Sequence, residues 1–258
     1  MKSYVWGILY KMNMKRVLVV GGANGVGLSI ATELAERSSV EKVYIVDRVE
    51  AAPAYMHDKF VPYVFDLNWE DYSFFDKFDD VDSLVITSGF GRLALFGQVD
   101  EQYIINSMNV NATAVMRLIH RFYDKISGKE DFWCGVMVSI AGFMSSPFFA
   151  VYGASKAALK IFIESVNVEL EKSGTSNRIL NVSPGSIKGT SFNAGSTDLD
   201  QVRELANEII SHIEAKDDLF IPQYEEIYKH VLERYQKDFR EEGRHSYDYK
   251  VASGRVQK

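Results

Sequence analysis

The chain has 258 residues, 47% of them hydrophobic and 25% charged, and a net charge of −6. That length supports one sizeable core and a single α/β domain, and the acidic balance argues against a nucleic-acid partner. The lone cysteine, Cys134 in the apolar run "FWCGVMVSI", excludes an intrachain disulfide and reads as a buried, inert thiol, while five scattered histidines give no support for a metal.

The N-terminal stretch "YVWGILY" is interrupted by Lys11 and lacks a cleavage signature, so residues 1–13 read as an extension and Met14 as a possible native start. No run approaches the roughly 18 apolar residues of a membrane span. A cytoplasmic protein with no membrane partner is expected. "RVLVVG" (16–21) reads as a buried strand, "VGLSIATELAER" (26–37) as a helix, and "KVYIVD" (42–47) and "VPYVFD" (61–66) as strands. A short acidic helix is expected near 69–78, a strand at 82–89 and one long helix over 100–125. A strand at 134–140, an amphipathic helix at 152–172 and a strand at 178–185 follow. The last elements are a helix near 198–215 and a short strand at 219–222. From 223 the chain is charged and reads as helical to about 241, with "YDYKVASGRVQK" as an arm or disordered tail. Strands alternating with helices specify βαβ units. The expected fold is α/β: a single Rossmann-type, doubly wound parallel sheet of about seven strands, helices on both faces, over 14–222, with a helical extension and tail at 223–258.

"VGGANGVG" (20–27) joins the first strand to the first helix. Glycines allow a tight turn and close backbone approach, and a helix N-terminus offers N–H groups to a phosphate. Gly21, Asn24, Gly25, Val26 and Gly27 are therefore candidate nucleotide-binding residues. Asp47 ends the second strand, where a carboxylate can accept hydrogen bonds from a ribose diol and repel a 2′-phosphate. It favours NAD. Arg48 beside it can receive that phosphate and keeps NADP open, and Asp47 can equally be a strand-end turn cap. Gly21, Asp47, Asp66, Ser88–Gly89, Ser139 and Pro184–Gly185 all fall at carboxyl ends of predicted strands, the edge that holds the ligand crevice in open α/β sheets.

"YGASK" places Tyr152 and Lys156 four residues apart, on one helix face. The pair is a common surface pattern. It is also a usable acid–base device, since an ammonium near a phenol favours the phenolate. Ser139 ends the preceding strand and could hold a substrate oxygen. Asn111 sits mid-helix, where an asparagine needs a reason such as anchoring a water or the backbone.

With "GGANGVG" at 21–27, Asp66, "NVNATAV" around Asn111, "VSIAG" at 138–142, "YGASKAAL" at 152–159 and "NVSPGSIKGT" at 181–190, the chain resembles the compact short-chain dehydrogenase/reductase family from about residue 15 to about 222. The resemblance implies that Tyr152 is the proton donor or acceptor and that Ser139 is its substrate-oxygen partner. Lys156 would lower the Tyr152 pKa and bind the nicotinamide ribose, and Asn111 would relay protons. Asp66 and Leu67 would lie near adenine; Pro184, Gly185 and Ile187 would border the nicotinamide. Thr190 would contact the pyrophosphate or amide. The reaction would be hydride transfer between a nicotinamide and a carbonyl or secondary alcohol, in a homo-oligomeric dimer or tetramer. Four departures stand out: Val20 where threonine is common, "ITSG" at 86–89 in place of Asn-Asn-Ala-Gly, Thr190 one position late, and a charged C-terminus in place of a glycine-rich strand.

Phe90, Phe96, Phe143, Met144, Phe148, Phe149 and Phe192 could line a pocket for an apolar ketone, or simply pack. Two other classes fit parts of the pattern. One is a non-catalytic NAD(P)-binding regulator, which has no need of a Tyr–Lys pair. The other is a sugar-nucleotide epimerase or dehydratase, whose usual Gly-x-x-Gly-x-x-Gly turn and larger C-terminal domain are not found here.

Overall fold

A computed structural model of the chain describes residues 14–69, 71–190, 192 and 196–256. The expected extension at 1–13 lies outside them. Among the described residues, seven strands form one parallel sheet: β1 (Arg16–Val20), β2 (Lys42–Asp47), β3 (Phe60–Val64), β4 (Ser83–Ile86), β5 (Trp133–Met137), β6 (Ile179–Val182) and β7 (Leu219–Phe220). Their order is β3-β2-β1-β4-β5-β6-β7. The chain reverses direction across the sheet between β1 and β4, so a crevice opens beyond their carboxyl ends.

Strand β1 shows why these runs become central strands. Val17, Leu18, Val19 and Val20 are all buried. Successive residues face opposite sides of a strand, and Val17 and Val19 enter one core layer while Leu18 and Val20 enter the other. The first layer is closed by α1 (Gly25–Ala35) and α6 (Leu199–Glu214), through Leu28, Leu34, Val202 and Ile209. The second is closed by α3 (Ala114–Arg121) and α5 (Ala150–Ser173), through Leu118, Ile119, Leu159 and Ile163. Cys134 is buried within the second layer, and burial pushes its thiol pKa up.

Three elements differ from the sequence expectation. The long helix over 100–125 is α2 (Glu101–Met108), a π turn at Asn109–Thr113, α3, and a short α4 (Tyr123–Ile126). Apolar periodicity persists across a π turn, so the insertion is silent in the pattern. The helix expected at 69–78 is a 3₁₀ segment, Tyr72–Lys77, entered through an Asp71 side chain that accepts from the Ser73 N–H. The tail is more ordered than composition suggested: α7 (Lys229–Lys237) is followed by α8 (Phe239–Ala252), capped by Asp238, whose carboxylate accepts from Arg240 and Glu241 N–H. Buried Glu242 in α8 accepts from both Nε and an Nη of Arg234 in α7, fixing the two helices together. No described helix is long and apolar enough to cross a membrane.

Candidate active site

The turn after β1 is held by backbone. Gly21 has φ +89°, donates its N–H to the Val46 carbonyl at 2.7 Å, and presses so closely on β4 that a Cβ would overlap the Ser88 amide nitrogen. A Cβ on Gly27 would overlap the Gly21 carbonyl and the Thr87 hydroxyl. Gly25 needs a left-handed φ of +53°. The Thr87 hydroxyl donates to the Gly21 carbonyl at 3.0 Å. It thus supplies from β4 the turn hydroxyl that Val20 cannot, and sequence reasoning passed over it. A hydroxyl at a strand end beside a glycine turn was the available signal.

Asp47 sits over the same turn. Its carboxylate accepts from the Ala23 N–H at 3.0 Å and the Val49 N–H at 3.4 Å, while Arg48 is exposed. The turn-cap role is therefore real. Asp66 lies past β3 and accepts from Asn68; the Leu67 carbonyl accepts from the Tyr72 hydroxyl at 2.8 Å. Thr190 packs on Gly25, within 3.5 Å of where its Cβ would be, and Thr197 offers its hydroxyl oxygen to the Gly25 N–H at 3.1 Å. Thr197 is a second contact that motif reading missed. Ser88 carries a buried hydroxyl oxygen with no partner among the described residues, at the β4 end beside Gly21. An orphaned polar atom next to a strained glycine turn and a helix N-terminus suits a polyhydroxylated, phosphorylated ligand. The residues present fit a dinucleotide.

Register brings the candidate reaction residues to the adjoining part of the rim. Ile86 pairs with Val136, and Met137 with Val182, so Ser139 and Pro184 emerge together. The Ser139 hydroxyl lies 3.4 Å from the Pro184 carbonyl and accepts from the Ala141 N–H at 3.2 Å. Ser139 beside Tyr152 acts to lower the phenol's pKa, but burial dominates and pushes it up to about 12. One turn along α5, Lys156 is buried with no carboxylate paired to it among the described residues, and burial pushes its pKa down to about 7. Its Nζ donates to the Met137 carbonyl at 2.8 Å and lies 5.8 Å from the centroid of the Tyr152 ring. A Cβ on Gly89 would lie 3.3 Å from that Nζ and 3.2 Å from Asn111 Oδ1, so Gly89 passes between the two side chains.

Asn111 occupies the π turn, a geometry that recurs at functional sites. Its side chain accepts from the Phe90 N–H at 2.9 Å and donates to the Phe90 carbonyl at 2.8 Å, and to Ser107 and Ser155 hydroxyls at 3.2 Å. The backbone-anchor role holds for the amide. Of the apolar candidates, Phe149 and Phe192 surround the Tyr152 ring, with centroids at 5.3 and 5.2 Å. Phe90 packs on Tyr103 at 5.7 Å, and Phe148 on Tyr247 of α8 at 4.6 Å. The Pro184–Gly185 loop meets the C-terminal segment, where a Cβ on Gly185 would overlap the Tyr228 hydroxyl. Ile187 packs against the core layer of α1 and α6.

The family model described as short chain dehydrogenase matches residues 15–201. The chain is 28% identical over 176 residues to 3-oxoacyl-[acyl-carrier-protein] reductase MabA of Mycobacterium avium, covering 67% of each chain. Its fold is similar to that of a bulky-bulky ketone specific alcohol dehydrogenase from Comamonas testosteroni (TM-score 0.71, 20% identity, 88% of this chain and 93% of the other). It is also similar to that of a short-chain dehydrogenase from Sphingobium yanoikuyae in complex with NADPH (TM-score 0.70, 19% identity, 87% and 96%). The chain belongs to the short-chain dehydrogenase/reductase family, whose members are NAD(P)-dependent oxidoreductases acting on CH–OH groups.

Proposed function

We propose that the protein is a carbonyl reductase or secondary-alcohol dehydrogenase that prefers NAD and takes an apolar substrate. The observation that carries this reading is buried Tyr152 and Lys156 one turn apart on α5, with the Lys156 Nζ 5.8 Å from the Tyr152 ring centroid, at the same rim as buried Ser139 and the glycine turn. When bound, the nicotinamide supplies or accepts the hydride. The chain's own residues handle the proton. Tyr152, with its pKa raised to about 12 by burial, is protonated at neutral pH and so is ready to donate to a carbonyl oxygen. Ser139 offers that oxygen a second hydrogen bond. In the alcohol direction the same phenol must first lose its proton, and a charged Lys156 assists by favouring the phenolate. Burial opposes that charge and pushes the Lys156 pKa down to about 7. Asn111 acts through its side-chain amide as a clamp that holds the 89–90 backbone against Lys156.

Asp47 supports NAD over NADP. Two backbone N–H groups hold its carboxylate at the end of β2, where a 2′-phosphate would meet a fixed negative charge. Phe149 and Phe192 around Tyr152 support an apolar substituent on the substrate carbon. A homo-oligomer is supported by exposed Ile105, Ile161 and Val168 on α2 and α5, and by a separate groove of about 710 Å³ lined in part by Met116, Phe162 and Val166.

The test is NADH oxidation with a panel of ketones (acetophenone, propiophenone, cyclohexanone), run with wild type and Tyr152→Phe. Turnover in the wild type, lost in the variant while NADH still binds, supports the enzyme reading. Equal rates in both would sink it, and NADH binding without any turnover would favour a regulator.

A further inference from the structure

The segment 145–149 lies immediately before α5 and delivers Phe149 to Tyr152. Its geometry is costly. Phe148 is a bulky residue at φ +69°, a left-handed conformation that side chains of its size rarely adopt. Something outside the segment must over-determine it. The Ala94 N–H bonds the Phe148 carbonyl at 3.0 Å from one side, and α8 supplies the rest. Tyr247 packs on the Phe148 ring at 4.6 Å. Lys250 places its Nζ 2.8 Å from both the Ser146 hydroxyl and the Pro147 carbonyl, and 3.2 Å from the Ser246 hydroxyl. The same Nζ lies 5.6 Å from the centroid of the Phe149 ring.

Lys250 is only 7% exposed, and no carboxylate pairs with it among the described residues. A buried ammonium with three neutral acceptors is a poor contributor to stability. Its three donors match three acceptors, two of them in the segment before α5. The rest of the C-terminal segment reaches the other flank of the site: Tyr228 against Gly185, and Arg255 3.4 Å from the Ser186 hydroxyl. The C-terminal segment thus touches both loops that border Ser139 and Tyr152.

We propose that α8 braces the substrate side of the site, with Lys250 as a positioning residue that fixes segment 145–149 and thereby sets Phe149 as a rigid wall beside Tyr152. The brace rests on the dehydrogenase reading for its consequence in catalysis, since that wall would limit the size of the group next to the substrate carbonyl. The cofactor turn lies at the other strands and is untouched by it.

The test uses the full chain, with Lys250→Met, which keeps the stem and removes the donors. Tyr247→Leu removes the ring contact instead and carries the test if the first variant does not fold. Hydrogen exchange of segment 143–149, NADH affinity and the kinetics of acetophenone and propiophenone reduction are measured. The expected result is exchange in that segment faster by about tenfold and NADH affinity within about twofold. KM for both ketones should rise about fivefold or more with kcat changed much less, the pattern of lost ground-state positioning. The larger ketone should lose least. Unchanged exchange in a folded variant overturns the brace, and so does a fall in kcat with KM unmoved. If the wild type reduces none of the ketones, the dehydrogenase reading fails, and exchange and NADH affinity alone decide whether α8 braces the segment.

Discussion

The proposed cofactor half of the rim and the proposed substrate half are built from different materials. Over β1, β2 and β4 the site is backbone: Gly21 and Gly27 admit close chain approach, and main-chain N–H groups hold Asp47. Over β5 and β6 it is side chains brought from far apart, such as Lys250 reaching Ser146 and Tyr228 reaching Gly185. The first half tolerates almost no added atom. The second depends on ring contacts and long side chains, which substitution can resize without breaking the sheet. A fixed half for a common ligand and an adjustable half for a variable one is what the contrast teaches.

The largest expected effect lies where the halves meet. Tyr152→Phe removes the proton donor and should lower kcat by about 10²–10⁴, with NADH affinity retained by calorimetry. Retained turnover would place the proton source elsewhere. Next is Gly21→Ala, which needs a Cβ where Ser88 stands and a φ that alanine avoids. It should cost roughly 1–3 kcal/mol of stability and most of the NADH affinity, read by thermal melting and titration. A variant that binds NADH normally would break the claim that the backbone half is closely fitted.

Lys156→Met separates function from stability. Burial lowers the Lys156 pKa from 10.5 to about 7, so between those values the unfolded chain holds more protons than the folded one. Stability then rises with pH across that window. Lys250, lowered to about 8, acts in the same direction over a narrower range. The variant should lose turnover, melt no lower than wild type at pH 7, and show a smaller rise in Tm from pH 7 to 9. A lower Tm with an unchanged pH slope would contradict the buried-charge account. The smallest effect belongs to Thr87→Val, which removes one hydrogen bond to Gly21 and should cost about 1 kcal/mol. The expected reading is NADH affinity several-fold weaker with kcat preserved.

The same contrast explains what could be read in the sequence. The sheet, its seven strands and the glycine turn were legible because they depend on local runs: "RVLVV" makes a buried strand in almost any context. Thr87 and Thr197 were not, because each reaches the turn from a distant segment, and a hydroxyl in a loop carries no periodic signal. The π turn at 109–113 was hidden because one extra residue barely disturbs an apolar stripe. Helix α8 was hidden for another reason. Its composition is that of a solvated tail, and its burial comes from Glu242 and Lys250, charged residues whose partners lie on α7 and the segment before α5.

Asp47 is proposed to set the selectivity of the dinucleotide site at β1 and β4. Calorimetric titration of wild type and Asp47→Ser with NADH and NADPH tests it most directly. The expected result is tighter binding of NADH by the wild type and a loss of that preference in the variant. Tighter binding of NADPH by the wild type would mean that Arg48 governs the ribose, and binding of neither would contradict the site itself.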